Sequence, residues 1–258
     1  MTVTCPEERL RWIKDILKGD PKKITKKFVR SVAGLLEFLA AVLPFLRAPL
    51  GWLHQRVAAF EAGKEDFTAE FRVRFAVYFN YIEALLKDWS GSASIRSFAS
   101  SSSPDLVIYS DASGDFGFGA LEVTSKSYGC GIWTDEEIAA ATRTKAVSST
   151  HLEVLAIIKA IKTFAKPDCM VQVFADSAAA IYVLQKRYDR KSEVSQALII
   201  SLDRHCRDNG IALFFTQVNR EHQVIQQVDS LSKGSIPTEL QDGEWRRVML
   251  IEMPPTLF

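Results

Sequence analysis

The 258-residue chain is predicted to be an α/β protein, with a five-stranded mixed sheet flanked by helices and preceded by an all-helical N-terminal domain. Residues 1–99 carry apolar side chains at helical spacing, whereas residues 105–235 alternate short apolar strands with helices. Three successive strands followed by strand–helix alternation favour one sheet with antiparallel and parallel pairs. A Ser/Gly-rich linker is predicted at 90–104, and a loosely held C-terminal tail at 236–258.

The predicted N-terminal helices follow from a cap and from the spacing of apolar residues. Thr25 is the expected N-cap of a helix through the apolar stretch 28–43, which Pro44 ends. Between residues 66 and 89, aromatic and aliphatic side chains recur every three or four positions, which is typical of an amphipathic helix. We interpret these aromatic side chains as core packing rather than as a row that stacks on bases.

The predicted elements after the linker are short strands with turn residues between them, joined later by helices. Thr150 is the expected N-cap of the first of these helices, with Glu153 completing a capping box, and Asn209-Gly210 closes a later one. The predicted strands cover 106–109, 116–123, 127–133, 171–175 and 211–218, and the predicted helices 150–166, 177–187, 193–208 and 225–233.

Charge is distributed unevenly along the chain. Residues 1–99 contain 16 Lys and Arg against 11 Asp and Glu, whereas the remainder contains 16 against 20. A basic half that grips nucleic acid, joined to an acidic half that binds metal, would give this distribution, and chance scatter would give it equally well.

Zinc-knuckle, secreted and membrane classes are not expected. The N-terminus lacks a secretion-signal pattern, and the most apolar run, 32–46, is too short to span a bilayer and contains Glu37 and Pro44. We therefore expect an intracellular protein with no membrane partner. No two cysteines have zinc-ligand spacing, and free thiols in a reducing compartment are expected for all of them: Cys5, Cys130, Cys169 and Cys206.

Four acidic residues occupy positions that the predicted fold can bring together. Asp111 and Asp176 each follow a strand, Glu153 lies early in the helix before the second of these strands, and Asp229 lies in the last helix. Singly, Asp176 is explained as an N-cap, Glu153 as part of a capping box and Asp111 as a turn residue. In this order of elements, however, the set predicts a shared pocket.

Clustered carboxylates repel one another, and divalent cations relieve that repulsion. Mg²⁺ prefers carboxylate, water and phosphate oxygens, so two Mg²⁺ ions are the predicted cofactors, with Mn²⁺ as a substitute. The prediction would fail if any of the three strongest members, Asp111, Glu153 and Asp176, pointed elsewhere or were locked in a bridge to arginine or lysine.

The motifs around these residues resemble the ribonuclease H domains of retroelement reverse transcriptases, over about 105–235. The resemblance is strongest to the domains of DIRS-like tyrosine-recombinase retrotransposons and weaker to those of Ty3-like elements. The fold that the resemblance implies is ribonuclease H-like. The matching stretches are Ile108–Ser113 with Gly117–Ala120, Trp133–Glu137, His151–Ala156, Phe174–Ala180 and Val228–Lys233.

The resemblance implies hydrolysis of the RNA strand of an RNA–DNA hybrid, and it implies roles for single residues. Asp111 would bridge both metals, Glu153 and Asp176 would complete one metal site, and Asp229 the other. His222 would be the loop histidine that handles protons, although its spacing from Asp229 departs from the family, and the alternative is a surface histidine. The residues expected to contact the hybrid are Ser113, Gly114 and Ser177, which replaces the usual asparagine.

The helical half has a weaker resemblance, to the thumb or connection region of retroelement polymerases. The polymerase signature Tyr-x-Asp-Asp is absent from the chain, so we expect a piece of, or a fragment captured from, a longer polyprotein. Other parts of a reverse transcriptase are the expected protein partners. A basic cluster is expected either to lie along phosphates or to be a solvated helix end; its main members are Lys22, Lys23, Lys26 and Lys27.

Two alternatives stay open at the level of sequence. One is a non-catalytic, domesticated ribonuclease H-like scaffold that binds nucleic acid or protein. The retention of four clustered carboxylates disfavours it, because unused buried charge costs stability. The other is a junction resolvase or transposase of the same superfamily. Glu153 disfavours this class, because it lies on the first helix of the domain.

Overall fold

The computed structural model describes residues 2–18, 24–41, 43–63, 67–87, 89–94, 103–142, 149–189 and 192–253. Two compact units divide the chain, Met1–Ser100 and Ser101–Phe258. Lys22, Lys23 and most of the predicted linker lie outside the described residues.

Unit one contains a pair of short antiparallel strands in addition to its helices. Strand β1 (Thr2–Thr4) pairs with β2 (Ser92–Ser94), so the expectation of an all-helical N-terminal domain was wrong. Neither three-residue strand has the apolar alternation that predicts a strand from sequence. The helices of this unit are α1 (Glu7–Leu17), α2 (Lys26–Ala40), α3 (Arg47–Glu61) and α4 (Ala69–Leu86).

The predicted cap and the predicted packing role of the aromatic residues in unit one are both confirmed. The hydroxyl of Thr25 accepts a hydrogen bond from the Phe28 backbone amide at 3.1 Å and so caps α2. On α4, Phe71, Phe75 and Phe79 are buried, and the rings of Phe28 and Phe75 lie 5.9 Å apart. The aromatic face of α4 is therefore part of the core of unit one.

Unit two is built on a six-stranded mixed sheet. Its elements are β3 (Leu106–Ala112), β4 (Gly117–Glu122), β5 (Ser127–Ile132), α5 (Asp135–Thr142), α6 (Ser149–Phe164), β6 (Met170–Ala175), α7 (Ala178–Lys186), α8 (Glu193–Asp208), β7 (Ala212–Gln217), α9 (Gln223–Ser232) and β8 (Arg246–Arg247). The strand order is β7-β6-β3-β4-β5-β8; β3, β4 and β5 run antiparallel in succession, and β6 and β7 continue parallel to β3.

The predicted class, a mixed α/β sheet flanked by helices, is confirmed, with three differences. The sheet has six strands rather than five, because β8 pairs with the edge of β5. Helix α5 was not predicted. Helix α6 begins at Ser149, so Thr150 lies inside the helix rather than at its N-cap, and Glu153 is not part of a capping box.

The C-terminal segment is packed against unit two rather than loosely held. Leu250 and Met253 are buried in the main apolar core, and Trp245 packs against a smaller cluster under α9. Met249, in contrast, is 92% exposed. Pro254 and Pro255 lie outside the described residues.

The two faces of the sheet are covered by different helices. Ile108 and Val173 point into the larger core beneath α6, whereas Leu121 packs with Val228 and Leu231 of α9. A Cβ atom at Gly119 would lie 2.6 Å from the Leu231 Cβ, so glycine allows α9 to approach β4 closely. This approach positions the last turn of α9 beside β3. None of the helices in the described ranges has the length and apolar character needed to cross a bilayer.

Candidate metal centre

Two of the predicted carboxylates meet because their strands are parallel neighbours. Strands β3 and β6 pair with Tyr109 opposite Phe174. Asp111 lies two residues beyond Tyr109, and Asp176 lies two residues beyond Phe174. Since side chains alternate along an extended backbone, both aspartates project from the same face at the same end of the sheet.

Helix α6 supplies the third carboxylate. The helix packs on β3, and Glu153 accepts a hydrogen bond from the backbone amide of Ala112, the last residue of that strand. One carboxylate oxygen from each of Asp111, Glu153 and Asp176 lies within 4.8 Å of the other two. We call this group the three-carboxylate site. The predicted convergence of these residues, which are far apart in the sequence, is therefore found in the structure.

Burial and mutual repulsion both favour the protonated forms in this site. Burial, with the nearby charges of Asp111 and Asp176, raises the pKa of Glu153 to about 9. Burial also raises the pKa of Asp111, opposed by a hydrogen bond from Ser232 and assisted by the charges of Asp176 and Asp229. The site is thus costly to hold fully ionised without a compensating cation.

One oxygen of the site has no partner within the described residues. Glu153 is 8% exposed, and its Oε2 atom is buried without a hydrogen bond. A buried, unpaired carboxylate oxygen costs free energy that a ligand can recover. Together with two neighbouring carboxylates, this oxygen fits the all-oxygen ligand set of a hard divalent cation.

Asp229 stands beside the three-carboxylate site rather than within it. Its Oδ2 atom accepts a hydrogen bond at 2.7 Å from Nζ of Lys233, the C-cap residue that follows α9. Its charge contributes to the raised pKa of Asp111, so the two carboxylates are close enough to interact. Asp111 therefore interacts with Asp176 inside the three-carboxylate site and with Asp229 outside it.

Asp176 carries an ion pair that bears directly on the metal prediction. Arg220 Nε lies 3.1 Å from its Oδ2; the arginine side chain is 76% exposed and the aspartate 13%. A bridge that locked Asp176 to an arginine would contradict a metal site. An ion pair with one solvated partner, however, contributes only about 0–1 kcal/mol. A divalent cation that binds several carboxylates at once can therefore replace it, and Asp176 is paired but not locked.

Ser232 is a site residue that the sequence analysis missed. Its hydroxyl donates to Asp111 Oδ2 at 2.7 Å and is also within 2.9 Å of the Asp229 backbone oxygen. The hydroxyl thus fixes the orientation of the Asp111 carboxylate, which interacts with both Asp176 and Asp229. The available signal was the spacing, because Ser232 follows Asp229 by three residues and so shares its helix face.

Replacing Ser232 with alanine is expected to weaken Mg²⁺ binding by about tenfold, since residues that orient a metal ligand typically contribute that much. The change also removes a hydrogen bond to a buried carboxylate, so the free energy of unfolding should fall by about 2 kcal/mol. Ser230→Ala is the matched control, because that hydroxyl donates to the backbone oxygen of Gln226 in the same helix and not to a carboxylate of the site. Equal effects of the two substitutions on Mg²⁺ titrations would contradict a role for Ser232.

The remaining predicted site residues occupy positions around the sheet end. His222 is exposed at the start of α9, and its ring stacks on Tyr109 at 5.4 Å. Ser177 caps α7 by accepting a hydrogen bond from the Ala180 amide at 3.3 Å, which is the structural role considered for its neighbour Asp176. A catalytic role for His222 and a hybrid contact for Ser177 stay predictions.

The other expected hybrid contacts lie on a hairpin and in unit one. Ser113 and Gly114 form the turn between β3 and β4, where the Ser113 backbone oxygen accepts a hydrogen bond from the Trp133 indole at 2.8 Å. Lys26 and Lys27 are exposed at the start of α2. Their contact with nucleic acid stays a prediction.

Comparison with known proteins gives only distant structural likenesses. No protein-family model matches the chain, and no curated protein matches it. The chain is similar in structure to RNase H1 from the halophilic archaeon Halobacterium salinarum NRC-1, with a TM-score of 0.35 and 15% identity, covering 50% of this chain and 96% of that one. It is also similar to a foamy viral protease-reverse transcriptase solved in complex with RNA/DNA hybrid, with a TM-score of 0.24 and 17% identity, covering 82% of this chain.

These likenesses concern the fold and carry no argument about chemistry, because both TM-scores are below 0.5. The chain spans only 27% of the length of the foamy viral protein. The resemblance to DIRS-like elements is not tested by either structure and stays a prediction.

Proposed function

We propose that this chain is a two-metal-ion endonuclease that hydrolyses the RNA strand of RNA–DNA hybrids, as part of or derived from a retroelement reverse transcriptase. The observation that carries the proposal is the three-carboxylate site, in which side chains from β3, α6 and β6 converge around a buried, unpaired oxygen of Glu153. Like charges gathered in a buried position destabilise the fold, so their presence here favours a function that uses them, such as cation binding.

The side chains present fit two divalent cations, Mg²⁺ by preference and Mn²⁺ as a substitute. Glu153 and Asp176 would hold one cation, Asp229 the other, and Asp111 would contact both. When bound, the cations would activate a water molecule and stabilise the leaving oxygen. Ser232 orients Asp111, and the Ala112 amide orients Glu153.

A hybrid substrate and intracellular partners complete the proposal. The hairpin turn at Ser113-Gly114 and the Ser177 cap lie at the same end of the sheet as Asp111 and Asp176, where a nucleic-acid backbone would approach the cations. Contacts with 2′-hydroxyl groups would distinguish a hybrid from duplex DNA. The N-terminal unit would serve as a thumb- or connection-like domain, and other parts of a reverse transcriptase would be its partners.

The test is cleavage of an end-labelled RNA–DNA hybrid by the full chain in Mg²⁺ and in Mn²⁺, with duplex DNA, duplex RNA and branched DNA as competing substrates. Asp176→Asn is expected to lower the rate by more than about 100-fold, because it removes a charged ligand. Asp208→Asn is the matched control, since Asp208 is exposed at the end of α8 and pairs with Arg207. Cutting of branched DNA in preference to hybrid would indicate a resolvase or transposase instead.

One observation favours the alternative, a non-catalytic scaffold that binds nucleic acid or protein. Asp176 and Asp229 are each paired with a basic side chain, Arg220 and Lys233, so half of the predicted ligands have a partner without metal. Hybrid binding without cleavage, unchanged in the Asp176→Asn variant and insensitive to Mg²⁺, would support the scaffold and exclude the nuclease.

A further inference from the structure

Two basic side chains occupy the carboxylates that the proposed cations need. Arg220 pairs with Asp176 at 3.1 Å, and Lys233 pairs with Asp229 at 2.7 Å. Each pair therefore involves one of the predicted metal ligands. A side chain and a metal ion compete for the same oxygen, so cation binding must release Arg220 and Lys233 from these positions.

Both basic side chains are built to be released. Arg220 is 76% and Lys233 58% exposed, and each reaches its aspartate through a long, flexible side chain. A pair whose basic partner is solvated contributes little free energy, whereas a divalent cation interacts with several carboxylates at once. Replacement of the two basic side chains by a divalent cation is therefore favourable. The released guanidinium and ammonium groups remain near the carboxylates, because their backbone positions do not change.

The released side chains face a common pocket. A cavity of about 420 Å³ lies between the β7–α9 loop and α9, and it is lined by Asn219, Arg220, Glu221, Gln226, Asp229 and Lys233. Its walls carry two positive and two negative side chains. Once a divalent cation takes over the charge of Asp229, positive charge is in excess, and the pocket becomes suited to an anion.

We infer that Arg220 and Lys233 are exchangeable counter-ions: they hold Asp176 and Asp229 in the metal-free protein and bind phosphates of the hybrid once cations displace them. The inference rests on the proposed function and adds a regulatory element to it, because metal loading and hybrid binding strengthen each other. The hybrid would thereby be retained chiefly by the metal-loaded form.

The exchange predicts opposite effects of one substitution on two affinities. Without nucleic acid, Arg220→Gln is expected to bind Mn²⁺ about threefold more tightly in calorimetric titration, because a competitor for Asp176 is gone. In Ca²⁺, which is expected to bind the carboxylates without supporting cleavage, the same variant should bind hybrid about tenfold more weakly. Its plot of log Kd against log salt should lose about one unit of slope, as expected for one lost phosphate contact. Lys233→Gln should behave in the same way.

Arg207→Gln is the matched control, because Arg207 also forms an exposed ion pair, with Asp208 on α8, and should change neither affinity. Weaker binding of both Mn²⁺ and hybrid by Arg220→Gln would indicate a purely structural role and would overturn the inference. If the wild type cleaves hybrid but Arg220→Gln changes neither the Mn²⁺ affinity nor the hybrid affinity, the inference is overturned and the proposed function is not. A wild-type chain that binds neither Mn²⁺ nor hybrid would overturn the proposed function as well.

Discussion

Replacing Glu153 with glutamine is expected to lower the rate of hybrid cleavage by more than about 1,000-fold. The same substitution should make the metal-free protein more stable at pH 8. The amide cannot replace a charged metal ligand, which removes activity. The same amide has nearly the shape of the protonated carboxyl and is neutral in both the folded and the unfolded chain, so folding at pH 8 no longer requires a proton to be taken up at residue 153. A rise of about 5 °C in Tm is the expected size.

The pH dependence of stability gives the sign of this effect. The pKa of Glu153 is raised from its ordinary value of 4.5 to about 9 in the fold, so the folded protein binds more protons than the unfolded one between these values. The stabilisation from Glu153 is fully present below pH 4.5 and is lost as pH rises through 9. The Tm of the metal-free wild type should therefore fall from about pH 5 to about pH 9, and that of Glu153→Gln should fall less.

Differential scanning calorimetry in EDTA across this pH range, repeated with Mg²⁺, is the measurement. Mg²⁺ should raise the Tm of the wild type most at high pH, where the ion no longer competes with a proton. Glu136→Gln is the matched control, since Glu136 is exposed on α5, one residue from the buried Glu137. A Glu153→Gln variant that is less stable than the wild type at pH 8, or that still cleaves hybrid, would contradict this account of the site.

Replacing Lys159 with methionine is expected to cost about 3–5 kcal/mol of unfolding free energy, the largest stability effect we expect from a single substitution. Lys159 Nζ lies 2.6 Å from Glu137 Oε1, and both side chains are 2% exposed. The ammonium group also lies 4.3 Å from the centre of the Phe118 ring. Removal of the lysine alone leaves the Glu137 charge buried and uncompensated.

The double variant Lys159→Met, Glu137→Gln separates the pair from simple packing. The glutamine carbonyl can still accept the Thr134 amide, which donates to Glu137 Oε2 at 3.0 Å, while the buried charge is gone. Most of the loss should therefore be recovered. Urea unfolding monitored by circular dichroism measures both variants.

Lys162→Met, one turn along α6, is the control and should cost only about 1 kcal/mol, because Lys162 is partly exposed and bonds the Ser201 hydroxyl. If the Lys159 variant lost no more than this control, or if the double variant recovered nothing, the Glu137–Lys159 pair would not be the feature that joins α5 to α6. The pair matters for the site because α6 carries Glu153.

Much of the fold of unit two was predictable from short-range patterns. The five longer strands and the helices α6 to α9 lie close to their predicted positions, because apolar periodicity, caps and Gly-containing turns are properties of neighbouring residues. The convergence of Asp111 with Asp176 was predictable for a related reason, since parallel neighbouring strands bring their ends together. The three-residue strands of unit one and the two-residue β8 were not predictable, because such short strands have no periodicity of their own.

The sequence by itself determined the five longer strands and helices α6 to α9 of unit two, and it predicted that Asp111, Glu153 and Asp176 meet, since strand and helix patterns order the chain before any long-range contact is known. Only the tertiary structure decided the electrostatic state of the site: the unpaired oxygen of Glu153, the hydrogen bond from Ser232 to Asp111, and the pairing of Asp176 with Arg220. These depend on burial and on contacts between residues as many as 121 positions apart, which come from packing α6 and α9 on opposite faces of one sheet and not from local sequence.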